Sequence, residues 1–261
     1  MTTEEGDVGS VDDQASGLRL YDELADWFHL LTPPADYAGE AAQIYGLLRM
    51  RVDGPLETLL ELGSGGGNTA SHLRARLRLT LTDISPAMLD LSRSLNPGCE
   101  HLLGDMRTLR LGRTFDAVLV HDAIMYMTDE DDLRATFATA FTHLRPGGAA
   151  VFAPDCVRET FRPATDHGGL DGDGRALRYL DWSYDPDPAD TSYVIEFAIL
   201  LREGDADVRV RYDRHVMGLF PRATWLGLMR EAGFEPSTVV SASGRDVFVG
   251  TRPRADLSEP D

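Results

Sequence analysis

The sequence predicts an α/β fold: a mostly parallel, seven-stranded sheet with helices on both faces, an N-terminal helical lid and an inserted antiparallel hairpin. Three observations carry this. Short apolar runs alternate with helical stretches from residue 57 to 153, the pattern of a parallel sheet covered on both sides. The first run, Glu57-Thr-Leu-Leu-Glu-Leu62, breaks into a turn holding Gly63, Gly65, Gly66 and Gly67, as a buried strand does when it passes through a loop into a helix. A length of 261 residues suits one such domain with an insertion.

Residues 1–16 are acidic and nearly free of large apolar side chains, so they read as a disordered tail, and the Pro- and acid-containing stretch 252–261 as another. The single domain between them, 17–251, opens with a lid at 17–52. There Leu18, Tyr21, Leu24, Phe28 and Leu31 recur at helical spacing, and a second helix runs over about 35–51. The central order is strand 57–62, helix 67–76, strand 77–83, helix 86–95, strand 100–103, strand 115–120, helix 129–144 and strand 149–153. Thr128 is the expected N-cap of the last helix, with three acids in its first turn. Residues 154–190 carry four prolines and read as a long ordered loop, the first part of an inserted lid and hairpin over 154–220. The hairpin strands are 192–201 and 208–220. A helix over 221–232 and strands at 236–241 and 246–251 complete the chain.

The spacing of the glycine turn narrows its ligand without naming it. A dinucleotide turn asks for G-x-G-x-x-G, and here the third position falls on Asn68. No phosphate cradle of the G-x-x-x-x-G-K-[ST] type is present either, since all 25 basic residues are arginine. Glu61, two residues before Gly63, suits a ligand that carries an amine. Asp83 ends the second strand, where an ionised carboxylate can accept both hydroxyls of a ribose; it also precedes the N-cap Ser85 and so reads equally as a helix-terminal acid. The turn, Asp83, Gly104-Asp-Met106, the strand Thr114–Val120 and the Arg145-Pro-Gly-Gly148 turn before the fifth strand together resemble the class I S-adenosylmethionine-dependent methyltransferases, whose fold is Rossmann-like.

That resemblance implies S-adenosylmethionine as cofactor, held by Glu61, Gly63, Gly65, Gly67, Asp83, Ile84 and Met88. It also implies Asp105 against the adenine amino group, Met106 on the ring and His121 beside the cofactor. Within the family the chain looks nearest to the bacterial enzymes that dimethylate the amine of a nucleotide-linked deoxysugar. The matching segments are Asp36-Tyr-Ala38, Gly104-Asp-Met-Arg107, Glu159-Thr-Phe161, Gly218-Leu-Phe220 and Gly244-Arg245. In those enzymes a lid tyrosine approaches the methionine end of the cofactor, which implies that role for Tyr37. The chain departs from them at His121-Asp122 and at Pro154-Asp155, which leaves the acceptor open.

Composition narrows the acceptor. A net charge of −18 repels nucleic acid, whose binding depends on basic side chains meeting phosphates. No apolar run reaches the ~20 residues of a membrane span, and the acidic N-terminus is unlike a secretion signal. Cys99 and Cys156 lack ligand or disulfide spacing, so a cytoplasmic protein is expected. The expected acceptor is a small molecule with an amine or hydroxyl, on a natural-product or sugar-like scaffold. His121, at the carboxyl end of the fourth strand, is the candidate base with Asp122 beside it, or else a wall of the cofactor pocket. Tyr126, Asp155, Trp182 and His215 are the candidate acceptor contacts, with Asp213 on the same strand face as His215. His121, Asp155, His167 and His215 have no short metal-ligand spacing, so no metal is expected. Tyr193, Ile195, Phe197, Ile199 and Leu201 form an apolar strand face to be covered by the lid or a second subunit, which favours a homodimer. A nicotinamide-dependent oxidoreductase and a cofactor-binding regulator without catalysis are the competing readings.

Overall fold

The computed structural model describes residues 18–254. Five parallel strands form the heart of the first sheet: β1 (Thr58–Leu62), β2 (Arg78–Asp83), β3 (Glu100–Leu103), β4 (Phe115–His121) and β5 (Leu144–Ala153). A second sheet follows, made of β6 (Ala164–Gly168), the two-residue β7 (Asp171–Gly172), β8 (Arg175–Tyr184), β9 (Ser192–Glu203) and β10 (Arg209–Gly218). The chain then returns to the first sheet with β11 (Glu235–Val240) and β12 (Asp246–Thr251), which complete the order β11-β12-β5-β4-β1-β2-β3. Order reverses between β1 and β4. Open α/β sheets bind ligands outside the strand ends at such a switch point.

Helices cover both faces of this sheet. On one side α2 (Ala38–Arg51) and α3 (Asn68–Leu73) bury Ile44, Leu47, Leu48 and Leu73 against Leu59, Leu81 and Val151. On the other, α5 (Glu130–Thr142) and α6 (Arg222–Glu231) bury Phe137 and Trp225 against Leu60, Phe152 and Phe248. Each such large side chain contributes roughly 1.5–3 kcal/mol through loss of apolar surface to water. Helix α4 (Pro86–Leu95) starts as expected, with Ser85 Oγ accepting the Met88 N–H. Helix α5 is capped by Asp129, whose carboxylate accepts the Asp132 N–H, and not by Thr128.

Two expectations are corrected. The lid before α2 is not one amphipathic helix over its first half. It is two single 3-10 turns, Arg19–Tyr21 and Ala25–Trp27, and one turn of helix, α1 (Phe28–Leu31), none with a side-chain cap. Tertiary bonds compete with the helix there: the Leu20 N–H is given to Asp213, and the Tyr21 carbonyl accepts Ser85 Oγ–H. Nor is 154–190 a loop throughout, since three strands lie within it. Apolar side chains point both ways from β8, with Leu177 buried and Leu180 and Trp182 exposed, which hides the alternation by which a strand is read. Its prolines fall outside the strands.

The inner face of the second sheet carries Leu177, Ile199 and Leu201, which pack on Leu20, Leu24 and Trp27 of the N-terminal segment. The strand face expected to be covered by the 154–190 lid or a second subunit is thus covered at Ile199 and Leu201 by the N-terminal segment, while Tyr193 packs with Met125, Met217 and Leu219. The expected tails at 1–16 and 255–261 lie outside the described residues. Arg252, assigned by sequence to the second tail, is instead tied down: its backbone bonds Gly147 and Gly148, and its guanidinium donates to the Phe141 and Leu144 carbonyls.

Candidate active site

A cleft of about 790 Å³ opens at the switch point and runs from the glycine turn to the inner face of the second sheet. Its first half is built mainly from backbone. Gly65 takes a left-handed φ of +51°, and a Cβ there would meet nothing nearer than Met88 Cε at 3.7 Å, so the open side of the turn belongs to a ligand. Asp83 fixes the turn: one carboxylate oxygen accepts the Gly65 N–H at 2.8 Å and the other the Ser85 N–H at 2.9 Å. Both oxygens keep lone pairs facing the cleft. The loop-ordering role is therefore compatible with the expected ligand role of Asp83, which lines the cleft. Ile84, Met88, Met106 and Gly63 line the same half. Gly67 does not. It also has a left-handed φ, of +79°, but a Cβ there would strike Asn96 and Ser92 of the α4 region, so this glycine serves helix packing.

Glu61 is 2% exposed, and its Oε2 has no partner within the protein. Burial, offset in part by His121, pushes its pKa up to about 8. A buried carboxylate without a cation is costly unless a ligand supplies one. Ser64 Oγ, in the same wall, is also unpartnered. An amino acid moiety meets both needs, its ammonium at Glu61 and its carboxylate at Ser64. Asp105 sits at the far end in the fork of Arg107, at 2.6 Å, and that arginine also holds Asp132 at 2.8 Å. The arginine holds the Asp105 carboxyl below its usual range. Backbone cradle, ribose-facing acid, apolar slot and orphan carboxylate together fit S-adenosylmethionine.

The second half is built from side chains. Tyr37, His121, Asp122, Tyr126, Asp155 and His215 all line it, so the structure gathers nearly all the expected contacts. Trp182 is the exception: it lies on the outer face of the second sheet, 59% exposed and beside Tyr184. Asp155 is deep in the molecule, yet its side chain is 41% exposed because it opens on the cleft. Arg245, from the turn before β12, reaches over to bind Glu40 at 3.4 Å, Asp122 at 2.7 Å and Asp155. Burial and the nearby Asp122 push Asp155 up to about 7, against the pull of Arg245 and His121.

His121 stands between two carboxylates, with Nε2 3.0 Å from Glu40 and Nδ1 3.3 Å from Asp122. The Glu40 contact is a charge contact more than an aligned hydrogen bond, since its angle leaves Nε2 without a formal partner. Burial lowers the imidazole pKa, but Asp122 and Glu40 outweigh it and the net is a rise to about 9. An imidazole that already holds its proton at neutral pH cannot begin a reaction by accepting one. The two flanking carboxylates thus bias His121 toward holding its proton, which bears on the choice between base and pocket wall. Glu40, Arg245 and Tyr21 were not singled out as site residues by sequence. The signals were present, since Glu40 and Arg245 each sit in or next to a segment matching the amino-sugar enzymes.

Comparison with known proteins agrees with this geometry. Residues 59–148 match the family described as a methyltransferase domain. The dTDP-3-amino-3,4,6-trideoxy-alpha-D-glucopyranose N,N-dimethyltransferase of Streptomyces venezuelae is 31% identical over 219 residues, spanning 82% of this chain and 91% of that protein. A Streptomyces fradiae enzyme acting on dTDP-3-amino-3,6-dideoxy-alpha-D-glucopyranose is 26% identical over 240 residues, 84% of this chain and 93% of that one. Among solved structures, the sugar N-methyltransferase KedS8 from Streptoalloteichus sp ATCC 53650 superposes with a TM-score of 0.81 at 26% identity, covering 95% of this chain and 98% of that one. The chain belongs to the S-adenosylmethionine-dependent methyltransferases, in the group of the amino-sugar N,N-dimethyltransferases. It is an enzyme that transfers a methyl group from S-adenosylmethionine to a small molecule.

Proposed function

We propose that the acceptor is the amine of a sugar-like molecule and that it receives two methyl groups. The carrying observation is the joining, in one cleft, of a cofactor half with an orphan carboxylate and an acceptor half walled by Asp122, Asp155 and two tyrosines. Carboxylates and aromatic rings suit a polyhydroxylated amine through charge-assisted hydrogen bonds and ring-face contacts. The two related enzymes named as N,N-dimethyltransferases support the same reading. When bound, the cofactor supplies a methyl carbon already activated by its sulfonium. The residues of the chain then have three tasks. Glu61, Asp83 and the glycine turn fix the methyl donor. Tyr37 and the N-terminal segment close the cleft. Asp155 and Asp122 orient the amine so that its lone pair faces the methyl carbon, alignment that lowers the barrier by up to about 7–11 kcal/mol in favourable cases.

An amine fits this site better than a hydroxyl, because a hydroxyl acceptor would need a base and His121, flanked by Glu40 and Asp122, is pushed up to about 9. Assays with labelled cofactor on amino sugars, free and nucleotide-linked, and on phenols test this directly. Mono- and dimethylamino products are expected. Transfer to phenols alone, or tight binding of NADH without binding of S-adenosylhomocysteine, overturns the reading.

We infer further that two copies pair through the outer face of the second sheet. Leu180, Trp182, Leu200, Val210 and Tyr212 are exposed there on three adjacent strands. Apolar faces of this kind mark interfaces. Two free cysteines and an acidic surface support work in a reducing compartment, the cytoplasm. Among the described residues no helix is long and apolar enough to cross a membrane.

A further inference from the structure

Behind the acceptor half lies a buried chain of polar contacts that the proposed alignment does not use. Asp213 and His215 share the inner face of β10 and are 5% and 2% exposed. His215 Nε2 lies 3.1 Å from Asp213 Oδ2, a charge contact outside hydrogen-bond geometry, and His215 Nδ1 lies 2.7 Å from the Tyr126 hydroxyl. That hydroxyl donates to the Tyr21 hydroxyl at 2.8 Å, and both tyrosines line the cleft. Asp213 is held in turn by the N–H groups of Leu20 and Arg214. The rings of Tyr21 and Phe197, with centroids 5.6 and 5.0 Å away, wall in the imidazole.

We propose that Tyr126, His215 and Asp213 carry the proton away from the acceptor nitrogen, with His215 as its destination. A carboxylate at Nε2 draws the ring proton to that nitrogen and leaves Nδ1 as the exchanging position. Phenol hydrogens rotate to suit their neighbours, so Tyr126 can turn its proton toward Nδ1 and present its oxygen to the cleft. The balance is simple. The amine lone pair forms the N–C bond as the C–S bond breaks, with the electron pair passing to sulfur, and the nitrogen is left cationic. Its proton moves to the Tyr126 oxygen as the Tyr126 proton moves to His215 Nδ1, and Asp213 stabilises the imidazolium. The second methyl needs a bare lone pair, so the relay matters most between the two transfers. His121, held between Glu40 and Asp122, is biased toward keeping its proton and is a poorer acceptor there.

The proposal rests on the amine reading above. Its test compares wild type, His215→Gln, Tyr126→Phe and Asp155→Asn on one amino-sugar acceptor, measuring the ratio of mono- to dimethylated product, the acceptor KM and S-adenosylhomocysteine affinity. Glutamine keeps a polar partner for Tyr126 but carries no proton. Both His215→Gln and Tyr126→Phe are expected to slow the second transfer about 100-fold, the usual size of a proton-transfer contribution, so that monomethyl product accumulates while KM and cofactor affinity stay near wild type. If His215→Gln fails to fold, Tyr126→Phe carries the test alone. A wild-type product ratio in the relay variants, or a monomethyl stall confined to Asp155→Asn, overturns the relay. A wild type that methylates no amine overturns the amine reading and the relay with it.

Discussion

The first sheet is buried on both faces and offers its ligand mostly backbone and strand-end carboxylates; the second has one face in the core and one in solvent, and offers its ligand side chains. The contrast explains how one scaffold keeps its cofactor while its acceptor changes. Gly63, Gly65 and the Asp83 clamp depend on chain path and tolerate little. Phe197 and His215 project from the second sheet, which can be rewritten residue by residue without disturbing the parallel core, and they meet Asp155 and Tyr126 from the chain just after β5 and β4.

The sharpest way to break this division is at Gly65. Gly65→Val puts two methyl groups into the cleft and forces a β-branched residue to hold φ near +51°. The left-handed conformation costs about 1–2 kcal/mol. Binding should fall much further, by more than about 100-fold, which is over 2.7 kcal/mol. Calorimetry with S-adenosylhomocysteine beside thermal unfolding separates the two. Near-wild-type affinity in a folded variant would place the cofactor elsewhere.

A smaller effect probes the orphan acid. The Glu61 carboxyl is raised from 4.5 to about 8 in the native protein by burial. Below pH ~4.5 it is protonated in both folded and unfolded chains and contributes no pH dependence. Between there and pH 8 the unfolded chain ionises while the native chain keeps its proton, so stability falls as pH rises through that window. Glutamine avoids this loss. Glu61→Gln should therefore melt above wild type at pH 8, by up to about 4 kcal/mol of stability, and level with it at pH 4.5. The same variant loses the partner of the ligand ammonium and should bind S-adenosylmethionine about tenfold more weakly, near the low end for a charge-assisted hydrogen bond. Equal melting at pH 8 would mean that Glu61 is satisfied without ligand.

The two sheets also differed in how legible they were. Every strand of the first was readable, because its parallel members are short apolar runs and the turn chemistry falls at fixed positions such as Ser85-Pro86; the expected Pro146-Gly-Gly148 turn, however, lies within β5, which starts already at Leu144 with an irregular register. Most cofactor contacts came with them, since they are strand ends. The strands of 164–184 were not readable, because outward Leu180 and Trp182 erase the polar-apolar alternation. The acceptor site was legible in its residue types but not in its states. His121-Asp122 reads as a base with its orienting acid or as a pocket wall, and sequence does not show that Glu40, eighty-one residues earlier in the chain, meets the other nitrogen. Only the fold brings Arg245 to Asp155, or Tyr21 to Tyr126.

The outer face of the second sheet gives the smallest functional effect and the cleanest separation of assembly from chemistry. Its inner face is held by Leu20, Leu24 and Trp27 of the same chain, and the lining described here comes from one copy. Pairing through Leu180, Leu200 and Val210 should therefore add stability without supplying a catalytic group. A Leu180→Arg, Val210→Asp double variant places charges on β8 and β10, either side of β9, at exposed positions, where substitutions usually change the fold by less than about 0.5 kcal/mol. Wild type is expected to be a dimer by light scattering at micromolar concentration, and the variant a monomer that binds S-adenosylhomocysteine as wild type does. A monomeric wild type would remove the interface. A monomeric variant with intact cofactor binding but no turnover would mean that the partner completes the acceptor half, and that the second sheet needs its outer face covered to hold Tyr126 and His215 in register.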